Sequence, residues 1–262
     1  STTHAASHSK ARSHTKTAAR GRRDSHDRQA SAARRGHPAA RAARAKAPVD
    51  APHYAAILMD ARNREVLYAQ AADETRHPAS ITKVMTLFLA FDALSDGKLR
   101  LNDRVVMSPH AAAQKPSKLG LKVGESLSVD QAIRIIAVKS ANDVAVALAE
   151  RIAGSEPAFV QMMQRKAREL GMRNTVYANA SGLTDPTNVT SARDIALLSA
   201  ALLRDHPEGY SYFSLRDATF GDKTFPNHNH LLGKVVGLDG IKTGYTADAG
   251  FTLAASAMRN NR

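Results

Sequence analysis

Pro78-Ala79-Ser80-Ile81-Thr82-Lys83-Val84-Met85-Thr86 opens an apolar run that continues to Leu94. Proline and serine at the head of such a run mark a helix entrance, so Ser80 is expected in the first turn of a helix reaching about residue 94. The neighbouring segments set the fold class. Before the run, Tyr54 to Asp60 and Glu65 to Ala69 are short apolar stretches on either side of Ala61-Arg62-Asn63-Arg64, the pattern of a β-hairpin. After it, helices are expected over about Val129 to Lys139, Asp143 to Ala153 and Glu156 to Leu170. Ser128 with Gln131 fits a capping box, Gly154 and Gly171 fit stops, and Ser191 with Asp194 opens a further helix to about Arg204. Beyond Tyr210 the pattern shortens into strands, about Val235 to Thr243 and Gly250 to Met258, separated by a turn at Ala247-Asp248-Ala249. Strands, then helices, then strands indicate an α+β domain, and no internal repeat competes with that reading.

Residues 1–50 are of a different texture. They hold 12 Lys and Arg against 3 Asp and Glu, a charge of +9 out of the total +13. Almost no large apolar side chain accompanies them, so this segment is expected to be a disordered basic tail, with the folded domain in residues 51–262. The tail has no aromatic residue on which a base could stack, so no specific nucleic acid is expected; contact with an anionic wall or membrane surface suits its charge. No run of 18 apolar residues is present. Cysteine is absent, which excludes disulfides, thiolate nucleophiles and Cys-ligated zinc.

Three short motifs carry chemistry. In Ser80-Ile81-Thr82-Lys83, residues three apart share one helix face, so the Lys83 amine can reach the Ser80 hydroxyl. A serine becomes a nucleophile when a base takes its proton, and lysine serves as that base when burial or a nearby cation lowers its pKa. The helix start also presents the Ser80 N–H to a developing oxyanion. The competing reading of Ser80 is a helix N-cap, and the same spacing recurs by chance at Ser7 to Lys10 and Ser13 to Lys16.

In Ser140-Ala141-Asn142, the amide can hold a substrate and the hydroxyl can relay a proton; either residue could instead cap the following helix. In Lys242-Thr243-Gly244, the amine offers a fixed charge to depress the pKa of Lys83 and to attract a carboxylate. The Thr243 hydroxyl can bond that carboxylate, and Gly244 permits close approach; an ordinary strand end is the alternative. His228 and His230 alternate on an extended segment with no third ligand nearby, which argues for surface or supporting histidines and against a metal.

The order Ser-x-x-Lys, Ser-x-Asn, Lys-Thr-Gly, spaced by 60 and about 100 residues, is more specific than any one motif. In it the chain resembles the low-molecular-mass penicillin-binding proteins, serine D-alanyl-D-alanine carboxypeptidases of the serine penicillin-recognising superfamily. The likeness runs from about Tyr54 to Arg262. It includes Leu121-Lys122-Val123-Gly124-Glu125, Asn179-Ala180-Ser181-Gly182-Leu183, Ser191-Ala192-Arg193-Asp194, Asn227-His228-Asn229-His230-Leu231-Leu232 and the stretch from Gly237 to Thr246.

The resemblance implies a β-lactamase/transpeptidase-like fold, an antiparallel sheet flanked by helices with a helical subdomain. It implies Ser80 as acylated nucleophile, Lys83 as base and Ser140 as proton relay. Asn142, Lys242, Thr243, Gly244 and Tyr245 would bind substrate, with the backbone N–H groups of Ser80 and Tyr245 as oxyanion hole. Tyr245 departs from the histidine common after Lys-Thr-Gly. The expected activity is removal of the terminal D-alanine from peptidoglycan stem peptides outside the cytoplasmic membrane, without a cofactor, and with β-lactams as covalent inhibitors. An endopeptidase of the same family and a non-catalytic peptidoglycan- or penicillin-binding module are the alternatives. A class A β-lactamase is disfavoured because no Glu-x-x-Leu-Asn stretch is found. Relatives continue with another strand and helix, so the domain is expected to be C-terminally incomplete at Arg262.

Overall fold

The structure, a computed structural model, describes residues 54–259. The basic segment 1–50 lies outside the described residues. A first hairpin pairs β1 (Ala56–Met59) with β2 (Val66–Gln70), and a 3₁₀ turn at Ala79–Ile81 leads into α1 (Thr82–Ser95). A small hairpin of β3 (Arg104–Val106) and β4 (Ser126–Ser128) brackets the short α2 (Pro109–Ala112). Then follow α3 (Val129–Val138), α4 (Asn142–Ala153), α5 (Glu156–Glu169), α6 (Ala192–Asp205) and the one-turn α7 (Pro207–Tyr210). The chain closes with two hairpins, β5 (Asp217–Phe220) with β6 (Lys223–Pro226), and β7 (Leu238–Thr246) with β8 (Gly250–Ala257).

Helix α1 is the hub. Val84, Met85, Leu87, Phe88, Leu89, Ala90 and Phe91 are all buried, so its apolar surface is continuous around the axis, as expected of a helix enclosed on every side. It packs against α3, α4, α5 and α6. Each fully buried Leu, Met or Phe contributes on the order of 1.5–3 kcal/mol of hydrophobic stabilisation before entropy is subtracted. The alanines of α4 (Ala145, Ala147 and Ala149) are buried with Val144, Val146 and Leu148, and their small side chains let α4 lie close to its neighbours.

The helix ends follow local chemistry. Ser128 and Gln131 form the reciprocal capping box at α3, and Ser155 and Ser191 accept from Ala158 N and Asp194 N at α5 and α6. Gly154 ends α4 with φ of 82°, where a side chain would be strained.

The expected α+β fold, antiparallel strands flanked by helices, is observed, with two details of its strands to refine. The antiparallel sheet is distributed over four two-stranded ladders rather than one; β1 and β8 each pack against α6, but no described strand joins their ladders. Strand β7 also begins at Leu238, three residues later than the apolar run suggests. Gly233 and Gly237 adopt φ of 77° and 79°, and the chain between them turns, with Val235 N bonding back to Leu231 O.

Candidate active site

Ser80 is the middle residue of the 3₁₀ turn, not a cap: neither that turn nor α1 has a side-chain cap hydrogen bond. Ala79 just before it has φ of 49°, a left-handed conformation that costs a non-glycine residue energy and is found mostly where neighbouring structure enforces it. One turn on, Lys83 is fully buried, and its Nζ lies 3.0 Å from Ser80 Oγ. The same amine donates to Asn142 Oδ1 at 2.6 Å and to the Ser181 carbonyl. An uncharged amine has two N–H bonds and one lone pair. With both N–H groups occupied by Asn142 and Ser181, the lone pair is left to face the Ser80 hydroxyl.

The second motif reaches this point from the start of α4. Asn142 holds Lys83 with its oxygen, while its nitrogen donates to Pro116 O at 2.7 Å. Helix α4 has no side-chain cap, so the capping alternative for Ser140 and Asn142 is excluded. Ser140 has φ of 63° and is 4% exposed, and its hydroxyl has no hydrogen-bond partner. A buried hydroxyl without a partner carries a desolvation cost of about 1–3 kcal/mol, unusual for a purely structural serine.

Asp143, also buried, anchors the preceding loop by accepting from Leu119 N and Gly120 N, each at 2.9 Å.

The third motif lies on β7. A Cβ at Gly244 would stand 2.8 Å from Ser80 N and 2.5 Å from Thr252 Oγ1, so only glycine lets the strand approach the Ser80 turn this closely. Thr252 of β8 clamps the same turn by donating to Pro78 O at 3.2 Å. Strand alternation puts Lys242 on the Gly244 face, and Thr243 with Tyr245 on the other. Lys242 is 2% exposed, and its Nζ donates to Thr243 O. The ring of Tyr245 is exposed and packs on Phe251, with centroids 4.8 Å apart.

Burial lowers the Lys83 pKa well below the ordinary lysine value. The charge of Lys242 lowers it further, and Asp143 opposes the shift. Burial also brings Lys242 down to about 7. His228, exposed on the loop before β7, is held below its ordinary pKa by partial desolvation, then by Lys242 and Lys139.

Residue types gave no hint of the Ser181 carbonyl. A backbone acceptor has no sequence signature, and the one pointer is the glycine that follows it. Gly182 has φ of 80°, and a Cβ there would fall 1.9 Å from Ala79 O, against the turn that carries Ser80.

A family model described as peptidase S11, D-alanyl-D-alanine carboxypeptidase, matches residues 41–262. The chain belongs to this D-alanyl-D-alanine carboxypeptidase family. Within the family, it is 41% identical to the D-alanyl-D-alanine carboxypeptidase DacF of Bacillus subtilis over 79% of this chain and 54% of that protein. Among solved structures, penicillin binding protein 5 from Haemophilus influenzae superposes with a TM-score of 0.76 at 39% identity, covering 79% of this chain and 61% of that one. Penicillin-Binding Protein D2 from Listeria monocytogenes, in its ampicillin-bound form, does so with a TM-score of 0.68 at 32% identity, covering 79% and 84%. The chain spans about half the length of the curated carboxypeptidases it matches.

Proposed function

We propose that the chain acts as a serine D-alanyl-D-alanine carboxypeptidase with Ser80 as nucleophile and Lys83 as base. The observation that carries this reading is the buried Lys83 amine 3.0 Å from the Ser80 hydroxyl, in a pocket where burial and Lys242 disfavour its charged form. Lys83 takes the hydroxyl proton as Ser80 Oγ attacks the carbonyl of the penultimate D-alanine of a peptidoglycan stem peptide. The backbone N–H groups of Ser80 and Tyr245 receive the oxyanion. The C–N bond breaks, and the departing D-alanine amine takes a proton relayed by Ser140. Water then attacks the acyl-enzyme, releasing the shortened peptide and restoring Ser80.

Lys242 attracts the terminal carboxylate from the Ser80 face of β7, and the Thr243 hydroxyl, on the other face, bonds it across the edge of the strand. Asn142 holds the substrate amide, and Gly244 keeps the strand close. β-Lactams acylate the same serine, a reading supported by the ampicillin-bound Listeria relative. The substrate places the protein outside the cytoplasmic membrane, where the +9 segment over residues 1–50 meets anionic wall or lipid.

The test is covalent labelling with a fluorescent penicillin followed by peptide mapping. The expected product carries the label on Ser80; a label on another residue, or none, refutes the assignment. Release of D-alanine from a pentapeptide, compared with cleavage of a cross-linked dimer, separates carboxypeptidase from endopeptidase action.

A further inference from the structure

Glu156 occupies the first position of α5, where it resembles an ordinary acidic residue favourable to the helix dipole. Its carboxylate nonetheless bonds outside its own helix. Oε1 accepts the backbone N–H of Ala180 at 2.9 Å, and Oε2 meets Nε2 of His110 in α2 at 2.6 Å. The Glu156 side chain is 11% exposed, against 56% for His110, so the Ala180 contact is the inner one.

One residue beyond Ala180 is Ser181, whose carbonyl accepts from Lys83 Nζ. The loop is fastened on all sides. Thr86 of α1 donates to Ala180 O at 2.7 Å, and Asn179 Oδ1 accepts from Gly182 N at 2.7 Å. Gly182 presses on Ala79 so closely that no side chain fits. Displacement of Ala180 would therefore be felt at both the base and the nucleophile turn.

We propose that Glu156 is a positioning residue for acylation: through the Ala180 N–H it fixes the Ser181 carbonyl, which aims the Lys83 amine at Ser80. The inference rests on the reading of Lys83 as base. An N–H to carboxylate bond is among the stronger protein hydrogen bonds, and a nearly buried one is difficult for water to replace. With the carbonyl free to move, the amine would lose one of its two N–H acceptors and the lone pair its aim. A carbonyl acceptor stabilises the ammonium more than the amine, so its loss would also lower the Lys83 pKa. The other charged groups facing these two residues, Lys242 on β7 and Asp143 on α4 at Lys83 and His110 on α2 at Glu156, remain in place.

The experiment measures the penicillin acylation rate of the full chain from pH 5 to 10 for wild type, Glu156→Ala, Glu156→Gln and Glu156→Asp, with the folded fraction of each taken from circular dichroism. Per folded molecule, Glu156→Ala is expected to acylate about 10- to 100-fold more slowly, with its acidic limb moved to lower pH. Glu156→Gln keeps an acceptor for Ala180 N and should recover the rate to within about threefold and restore the limb. Glu156→Asp, with a shorter reach, should fall between them, and it decides the matter if the alanine variant does not fold.

A wild-type rate and acidic limb in Glu156→Ala would overturn the proposal. So would a loss that merely tracks the unfolded fraction, or a glutamine variant as slow as the alanine one. An unlabelled wild type would instead refute the functional reading itself.

Discussion

The Lys83 amine and the Asn142 side-chain oxygen, 59 positions apart in sequence, are held 2.6 Å apart in the buried centre of the site. The contact joins the hub helix α1 to the first turn of α4, and a neutral amide there leaves the amine free to remain uncharged. Asn142→Asp would replace that neutral acceptor with an anion. An adjacent carboxylate favours the ammonium and raises a lysine pKa by about 1–3 units. The acidic limb of the acylation profile should move up by that amount, and the rate at a pH on the acidic side of the wild-type limb should fall about 10- to 1000-fold. Stopped-flow acylation across pH checks both.

Gly182 permits the closest backbone approach in the site, and Gly182→Ala tests whether that approach is required. The new Cβ would meet Ala79 O at 1.9 Å from a backbone at φ of 80°. Both the clash and the left-handed strain act on the turn that carries Ser80. A loss of about 2–4 kcal/mol in urea-unfolding stability is expected, with a drop in acylation beyond what unfolding explains. An alanine variant as stable and as fast as wild type would show that the loop does not set the turn.

Helices and hairpins are legible in the sequence where local chemistry decides them. The Ser128–Gln131 capping box and the Gly154 stop depend on neighbours in sequence. The Ser80–Lys83 distance likewise depends on one turn of chain. The roles of Ser140 and Asn142 are ambiguous in sequence because capping and proton-handling draw on the same residue types; only the packed structure shows that neither caps α4. The start of β7 is misplaced by the apolar pattern because Val235 and Val236 suit a strand, whereas the glycines beside them at 233 and 237 turn the chain. Glu156 and the Ser181 carbonyl are invisible for a deeper reason. Their significance lies in contacts 24 and 98 positions away, and nothing in their own residue types reports those contacts.

Burial of Lys242 makes stability depend on alkaline pH. Its folded pKa is about 7, against an ordinary value of 10.5. Between these limits the unfolded chain binds more protons than the folded one, so unfolding free energy rises with pH across the window. Below pH 7 both states are protonated, and the cost of burying the charge is present in full. Lys242→Met removes the titrating group. Relative to wild type, it should be more stable below pH 7, with the advantage shrinking by a few kcal/mol, on the order of 1.4 per pH unit at most, as pH approaches 10. Urea unfolding of both proteins at pH 6, 8 and 10 measures this difference. A constant offset would mean that Lys242 titrates alike in both states.

The two buried lysines should respond differently to one conservative change. Lys83 lies 3.0 Å from the Ser80 hydroxyl and, as the proposed base, must spend part of its time uncharged to accept a proton. Arginine keeps the charge but does not deprotonate usefully, and its planar group cannot place a lone pair where the lysine amine does. Lys83→Arg should therefore lose penicillin acylation by about a thousandfold or more while the variant remains folded. On the proposed reading Lys242 acts differently: a substrate carboxylate seated against it favours its protonated form over the uncharged one that burial favours above about pH 7, and arginine keeps that charge at every pH. Lys242→Arg should keep partial acylation, with the larger defect in the concentration dependence, since the guanidinium meets the carboxylate in a different geometry. Both side chains are enclosed, so each variant is first compared with wild type by circular dichroism and thermal unfolding. The acylation rates of the folded proteins then decide. If Lys83→Arg proves the milder of the two, the assignment of base and electrostatic partner is reversed.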